Sequence, residues 1–162
     1  MRMLLQRVTR AQVFATGDTE RPLASIDRGL VVFTGFEPTD TESVVLTMAQ
    51  KLRALRVFAD AERKMNLAAA DANASYLVTS QFTLYGDVSG GNRPFLGRAA
   101  GKEQAGSLFR AFVDALRTLA GPDAVAHTPF GADLQVALVN DGPVTLWIDS
   151  KTLLGADAKE RP

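Results

Sequence analysis

In this chain of 162 residues Lys+Arg and Asp+Glu both number 18, so it carries no formal net charge. Any nucleic-acid partner must therefore meet a local patch, because the surface as a whole is not basic. Its hydrophobic fraction of 46% and charged fraction of 22% are those of a soluble globular protein, and the length suits one domain with its own core. The absence of Cys excludes disulfides, thiolate metal ligands and a Cys nucleophile, and a single His, His127, excludes a multi-His zinc centre.

The opening "MRMLLQRVTRAQV" is too interrupted by Arg for a secretory signal, and no window reaches the roughly 18 apolar residues of a membrane span. A cytoplasmic protein without a membrane partner is expected. Residues 3–8 and 11–15 read as two short strands. "GLVVFTGF", 29–36, is a nearly unbroken apolar run and predicts a buried strand. Thr39 with Glu42 three residues on is a capping-box pattern, and Val45, Met48, Leu52 and Leu55 continue it as a helical stripe. "RVFAD" predicts a short strand. "SYLVTSQFTLYGD", 75–87, predicts a longer one that ends near Gly86.

"VSGGNRPFLGRAAG" reads as a loop. After it, Ala105, Leu108, Phe109, Phe112, Val113, Leu116 and Leu119 mark the clearest helix, which Gly121 and Pro122 end. Two strands follow, 133–139 and 144–149, joined by "NDGP". The segment "GADAKERP", 155–162, is expected to be a frayed tail. The order of elements predicts an α+β fold: a single domain, 1–150, with a mixed or antiparallel barrel-like sheet and two main helices, followed by a tail, 151–162.

Two stretches hold the candidate chemistry. "NDGPVT", 140–145, has the residues of a hairpin turn. It also has a Gly before a Pro, where bare backbone can be approached closely by a ligand or a neighbouring chain. "TSQFTLYGD" is either a strand with one polar face or a pocket edge offering the groups of Ser80, Gln81 and Thr83. Thr83 as a nucleophile needs an activating base, and no His, Cys or Lys stands beside it in sequence. His127 reads as a surface or capping residue. Lys51, Arg53, Arg56, Arg63 and Lys64, and then Arg93, Arg98 and Lys102, form basic clusters, either solvated faces or a phosphate-binding surface. Phe95 beside them either covers an apolar pocket or stacks on a base. No P-loop, dinucleotide or zinc pattern is present.

Over nearly all of residues 1–150 the sequence resembles the D-aminoacyl-tRNA deacylase family. The resemblance lies in "MLLQRVTRAQV", in "RVFADAERKMNL" (56–67), in "SQFTL" (80–84) and in "NDGPVT" (140–145). It implies a homodimer that hydrolyses the ester of D-aminoacyl-tRNA, and of glycyl-tRNA mischarged on tRNA-Ala, without a metal or other cofactor. Its partner would be the 3′ acceptor end of aminoacyl-tRNA, not DNA. It implies a cis Gly142-Pro143 bond inserted into the partner subunit's active site as a backbone wall against L-aminoacyl esters. Main-chain groups and the tRNA's own 2′-OH would assist hydrolysis. By the same resemblance Gly142, Pro143 and Thr83 are the catalytic candidates. Ser80, Gln81, Phe82, Leu84, Asn140 and Thr145 would contact substrate, shape the pocket or brace the turn. Arg63, Phe95 and the "HTPFGADL" segment with His127, Pro129 and Leu134 depart from the family pattern and bear on pocket lining. The alternatives are a non-catalytic module that binds charged tRNA ends, and a homodimer whose Gly-Pro turn serves only to lock its subunits.

Overall fold

The computed structural model describes residues 1–155. The expected α+β fold is borne out as a six-stranded mixed sheet, curled nearly into a barrel, with two main helices on one face. The first strand, β1 (Arg2–Ala15), is one 14-residue strand where two short ones were expected. It stays whole because ladders hold both of its edges. Along one edge it pairs antiparallel with β8 (Leu134–Asp149). Along the other it pairs first with β3 (Gly29–Gly35) and then with β2 (Ala24–Ile26). The continuous apolar run of β3 matches its place between β1 and the parallel strand β6 (Ser75–Ser80). β7 (Val125–His127) adds to the far side of β6, and β2 lies against both β6 and β7. β4 (Phe58–Ala59) and β5 (Met65–Leu67) form a separate small hairpin.

A bulge in β1 divides its side chains between two cores. Val8 faces Asn140 and Arg10 faces Val139, so Thr9 is an extra residue and the inside-outside alternation reverses there. Before it, Met1, Met3 and Leu5 join Leu30, Val32 and Tyr76 under the helices. Val8, Ala11 and Val13 join Val31 and Leu77 on the concave face of the curled sheet.

Helix α1 (Glu42–Ala54) buries Val45, Met48 and Leu52, much as its stripe predicts. Its cap is Thr41, not Thr39: the Thr41 hydroxyl accepts from the N–H of Val44 at 3.4 Å, which leaves Glu42 in the first turn. Helix α2 (Lys102–Ala120) buries Leu108, Phe109, Phe112 and Leu116 and stops at Gly121, whose φ of +94° continues no helix.

Three further readings are corrected. The strand expected over 75–87 ends at Ser80, and Phe82–Tyr85 form a 3₁₀ turn. The two strands expected around "NDGP" are one strand, since both halves run antiparallel to the same partner, β1. A hairpin would reverse the chain, and this segment does not. The first residues of the expected tail form a short helix, α3 (Ser150–Leu154), capped by the Asp149 carboxylate. The rest of that tail lies outside the described residues.

Candidate active site: a cavity and a protrusion

The first half of the site lies where β6 ends. Gln81 N–H still bonds Thr34 C=O at 2.7 Å, continuing the parallel ladder by one residue. β3 then runs out at Gly35, and the chain turns back against it. A Cβ on Gly35 would stand 2.9 Å from Gln81 C=O, so the turn packs there only because Gly35 has none. Within the turn, Leu84 N–H donates to Gln81 C=O at 3.2 Å and Gly86 N–H to Thr83 C=O at 2.9 Å. The N–H groups of Phe82 and Thr83, at its start, have no backbone acceptor among the described residues.

Beside this turn is a cavity of about 250 Å³ lined by Phe33, Thr79, Ser80, Gln81 and Phe82 on one side and by 131–134 and Val136 on the other. Ser80 Oγ accepts from Gly131 N–H at 3.2 Å, which ties the two walls together. Phe82 is exposed at the rim, and Asp133 is the one titratable side chain in the lining. Gln81 Nε2 donates to the Thr83 hydroxyl, so Thr83 is paired with an amide and not with a base. Leu84 supplies its C=O to Arg2 Nη1 at 2.9 Å. The Arg2 guanidinium lies 4.4 Å from the centre of the Tyr85 ring and also pairs with Asp149 at 2.9 Å. Burial, reinforced by the carboxylates of Asp40, Glu37 and Asp149, pushes the Tyr85 phenol well above its ordinary range. It therefore stays protonated and offers no base.

The second half interrupts β8. Gln6 faces Thr145 and Val8 faces Asn140, so the four residues 141–144 stand against the single residue Arg7 and are extruded from the ladder. The Gly142-Pro143 bond is cis, and Gly142 has a φ of +120°. Asn140 closes the base of the protrusion. Its Oδ1 accepts from Val144 N–H at 3.0 Å, and its Nδ2 donates to Val144 C=O at 3.3 Å and to Thr145 Oγ1 at 3.2 Å. Gln6 Nε2 also donates to Thr145 Oγ1, at 3.1 Å.

Arg7, which no motif pointed out, is the main anchor. Its Nε donates to Asp141 C=O at 3.2 Å and faces the Asp141 carboxylate at 3.1 Å, and its Nη1 donates to Val57 C=O at 2.5 Å. An Arg in an N-terminal strand reads as solvent-facing. The extrusion opposite it and the Val57 carbonyl give its guanidinium something to hold.

Ser80, Gln81 and Phe82 thus line one cavity, Thr83 and Leu84 lie in the adjoining turn outside its lining, and Asn140, Gly142, Pro143 and Thr145 come together at one protrusion. Neither Gly142 nor Pro143 lines that cavity. His127 stands apart from both motifs' hydrogen bonds: its Nδ1 meets Thr128 C=O at 3.1 Å and its ring packs edge-on to Phe109. Of the basic clusters, Arg53 donates to Leu119 C=O, Arg56 to Asn66 C=O, and Arg98 pairs with Asp87, so these three have structural partners. Among the described residues no group of three or more His, Cys, Asp and Glu is placed to hold a metal, and no helix is long and apolar enough to cross a membrane.

A family model described as D-Tyr-tRNA(Tyr) deacylase matches residues 4–149. A D-aminoacyl-tRNA deacylase from Dechloromonas aromatica is 48% identical over 151 residues, which is 93% of this chain and 98% of that protein. One from Chloroherpeton thalassium is 43% identical, over 94% of this chain and 97% of that one. A solved structure titled "c-Myc DNA Unwinding Element Binding Protein" superposes with a TM-score of 0.85 at 36% identity, covering 92% of this chain and 98% of that one. A probable eukaryotic D-amino acid tRNA deacylase shares the fold, with a TM-score of 0.76 at 17% identity over 91% of this chain and 97% of that one. The chain belongs to the D-Tyr-tRNA(Tyr) deacylase family.

Proposed function

We propose that this chain is a D-aminoacyl-tRNA deacylase that works as a homodimer, each Gly142-Pro143 protrusion closing over the cavity of the other subunit. The observation that carries this reading is the separation of the two motifs. Within one chain the protrusion does not line the cavity beside Ser80 and Gln81. A second copy can supply it. Among the described residues β8 pairs with β1 alone, so its other edge is unpaired there. That strand also carries Val139, Leu146 and Trp147 as exposed apolar side chains, which favours a neighbouring chain.

The chemistry suits the groups present. An aminoacyl ester is already activated, so orientation and stabilisation of the developing oxyanion can supply much of the rate. The N–H groups of Phe82 and Thr83, which meet no backbone acceptor among the described residues, can serve as such donors, with the substrate's own 2′-OH as a further polar group. Chirality is then decided sterically. With the amino group and ester held in the cavity, an L side chain meets the partner's Gly-Pro backbone, which has no rotamer to change. A D side chain points away, and glycine, having none, also passes. That extends the substrates to glycyl-tRNA mischarged on tRNA-Ala.

The test is to incubate the protein with D-tyrosyl-tRNA and L-tyrosyl-tRNA in parallel, with a chelator present, and follow ester loss. Loss of the D ester alone is expected. If neither ester is lost while tRNA still binds, the protein is a module that holds charged tRNA ends.

A further inference from the structure

The floor of the cavity contains a polar group outside both motifs. Thr79 lines it, is 2% exposed and sits in register beside Phe33 on the concave side of the sheet. The rest of that floor is apolar: Phe33, Leu134 and Val136 pack on the concave core. Thr128, 0% exposed and 49 residues away in sequence, donates its hydroxyl proton to Thr79 Oγ1 at 3.0 Å. Its own N–H bonds Val78 C=O at 3.0 Å, which fixes it against β6. The two hydroxyls share this one hydrogen bond, and neither proton has another acceptor among the described residues, so the pair holds one spare donor, which falls to Thr79, the member that lines the cavity, when Thr128 donates. A buried hydroxyl without an acceptor is costly, and a lone donor on an apolar floor is how a pocket fixes the orientation of a ligand.

We propose that Thr79 is a substrate-binding residue whose hydroxyl donates to a ring nitrogen of the terminal adenine, with Thr128 as the positioning residue that aims it. This rests on the deacylase reading above. The amino acid's ammonium is the wrong group for Thr79 itself, because it brings protons to a donor; it is left to the rest of the lining, where Asp133 is the one titratable side chain. A flat heterocycle with acceptor nitrogens fits the apolar walls and the exposed Phe82 ring at the rim. The contact is the same in ground state and transition state, so it acts on KM and not on kcat.

Three enzymes are compared on D-tyrosyl-tRNA: wild type, Thr79→Val and Thr79→Ser. Thr79→Val should raise KM about tenfold with kcat little changed, the size of one hydrogen bond, and Thr79→Ser should restore it. Thr128→Val should raise KM less, and Thr128→Ser should restore that too. Terminal adenosines with N1, N3 or N7 replaced by C–H form the second arm. One of them should raise the wild-type KM by the same factor and have no further effect on Thr79→Val. A folded Thr79→Val enzyme with the wild-type KM overturns the proposal. So does a wild type indifferent to all three analogues, a result that does not depend on how any variant folds. A wild type that hydrolyses no D ester overturns the deacylase reading itself, and this inference with it.

Discussion

The cavity beside Phe82–Tyr85 and the protrusion at 141–144 are held in different ways. The cavity wall is an extension of the core. Its strand is packed on both faces, its turn rests on Gly35, and its hydrogen bonds are largely main-chain. The protrusion has no ladder of its own and little apolar support. It is held from below by two polar side chains, Arg7 and Asn140. A surface formed by backbone and core is rigid without help. A backbone loop lifted out of a sheet is only as rigid as the side chains that fix it. Changes near the protrusion should therefore reach catalysis and selection more strongly than side-chain changes on the turn.

The largest effect is expected at Arg7. Arg7→Ala removes the bonds to Asp141 and Val57 together and frees the protrusion. A displacement of about 1 Å in a positioned group can reduce the rate about a hundredfold, and kcat/KM for D-tyrosyl-tRNA should fall on that scale. Arg7→Lys keeps the charge but loses the fork of donors, so it should fall between the two. Circular dichroism and sedimentation would separate this loss from unfolding or dissociation. A well-folded Arg7→Ala variant with unchanged sedimentation and near-normal kcat/KM would mean that the protrusion needs no anchor.

Gly142→Ala should come next. The φ of +120° strains any L side chain, and the new methyl would stand 2.6 Å from Arg7 Nη2 and 3.1 Å from Val144 Cγ2. Arg7 is already pinned and cannot swing aside freely. A loss of about tenfold or more in D-ester hydrolysis, or a loss of discrimination against the L ester, is expected, on the scale of one strained residue. Because the methyl meets Arg7 itself, the double variant with Arg7→Ala should lose less than the two single losses combined. Strict additivity would show that the alanine acts on the substrate side only.

The same contrast decides what could be read from the sequence. The apolar run of β3 and the stripe of α2 are local patterns, and each marked an element that the core keeps. The composition of 81–85 gives no sign that the strand should end at Ser80. The cause is remote: the partner strand stops at Gly35, whose missing side chain makes room for the turn. Asp-Gly at 141–142 is a true local bend signal. Whether the chain reverses there depends on which strand each flank joins, and both join β1. The two site motifs were legible because their residues are adjacent in sequence. Arg7 and the Thr79–Thr128 pair were not, because each contact joins segments far apart along the chain.

The smallest effect is expected on the turn, at Thr83. Its hydroxyl is exposed and accepts from Gln81 Nε2, and among the described residues no His, Lys or carboxylate is hydrogen-bonded to it. Its N–H belongs to the backbone and survives any substitution except proline. If the backbone of the turn does the work, Thr83→Ala should keep kcat within about threefold of wild type, since one exposed hydrogen bond contributes little. If Thr83 were the nucleophile, kcat should fall about a thousandfold, the scale of a lost catalytic group, and wild type should form an acyl-enzyme that rapid quenching can trap. Measured beside Arg7→Ala, the result ranks the two halves of the site directly. A turn indifferent to its hydroxyl and a protrusion dependent on its anchor would place selection and rate in the backbone, with side chains serving to hold it still.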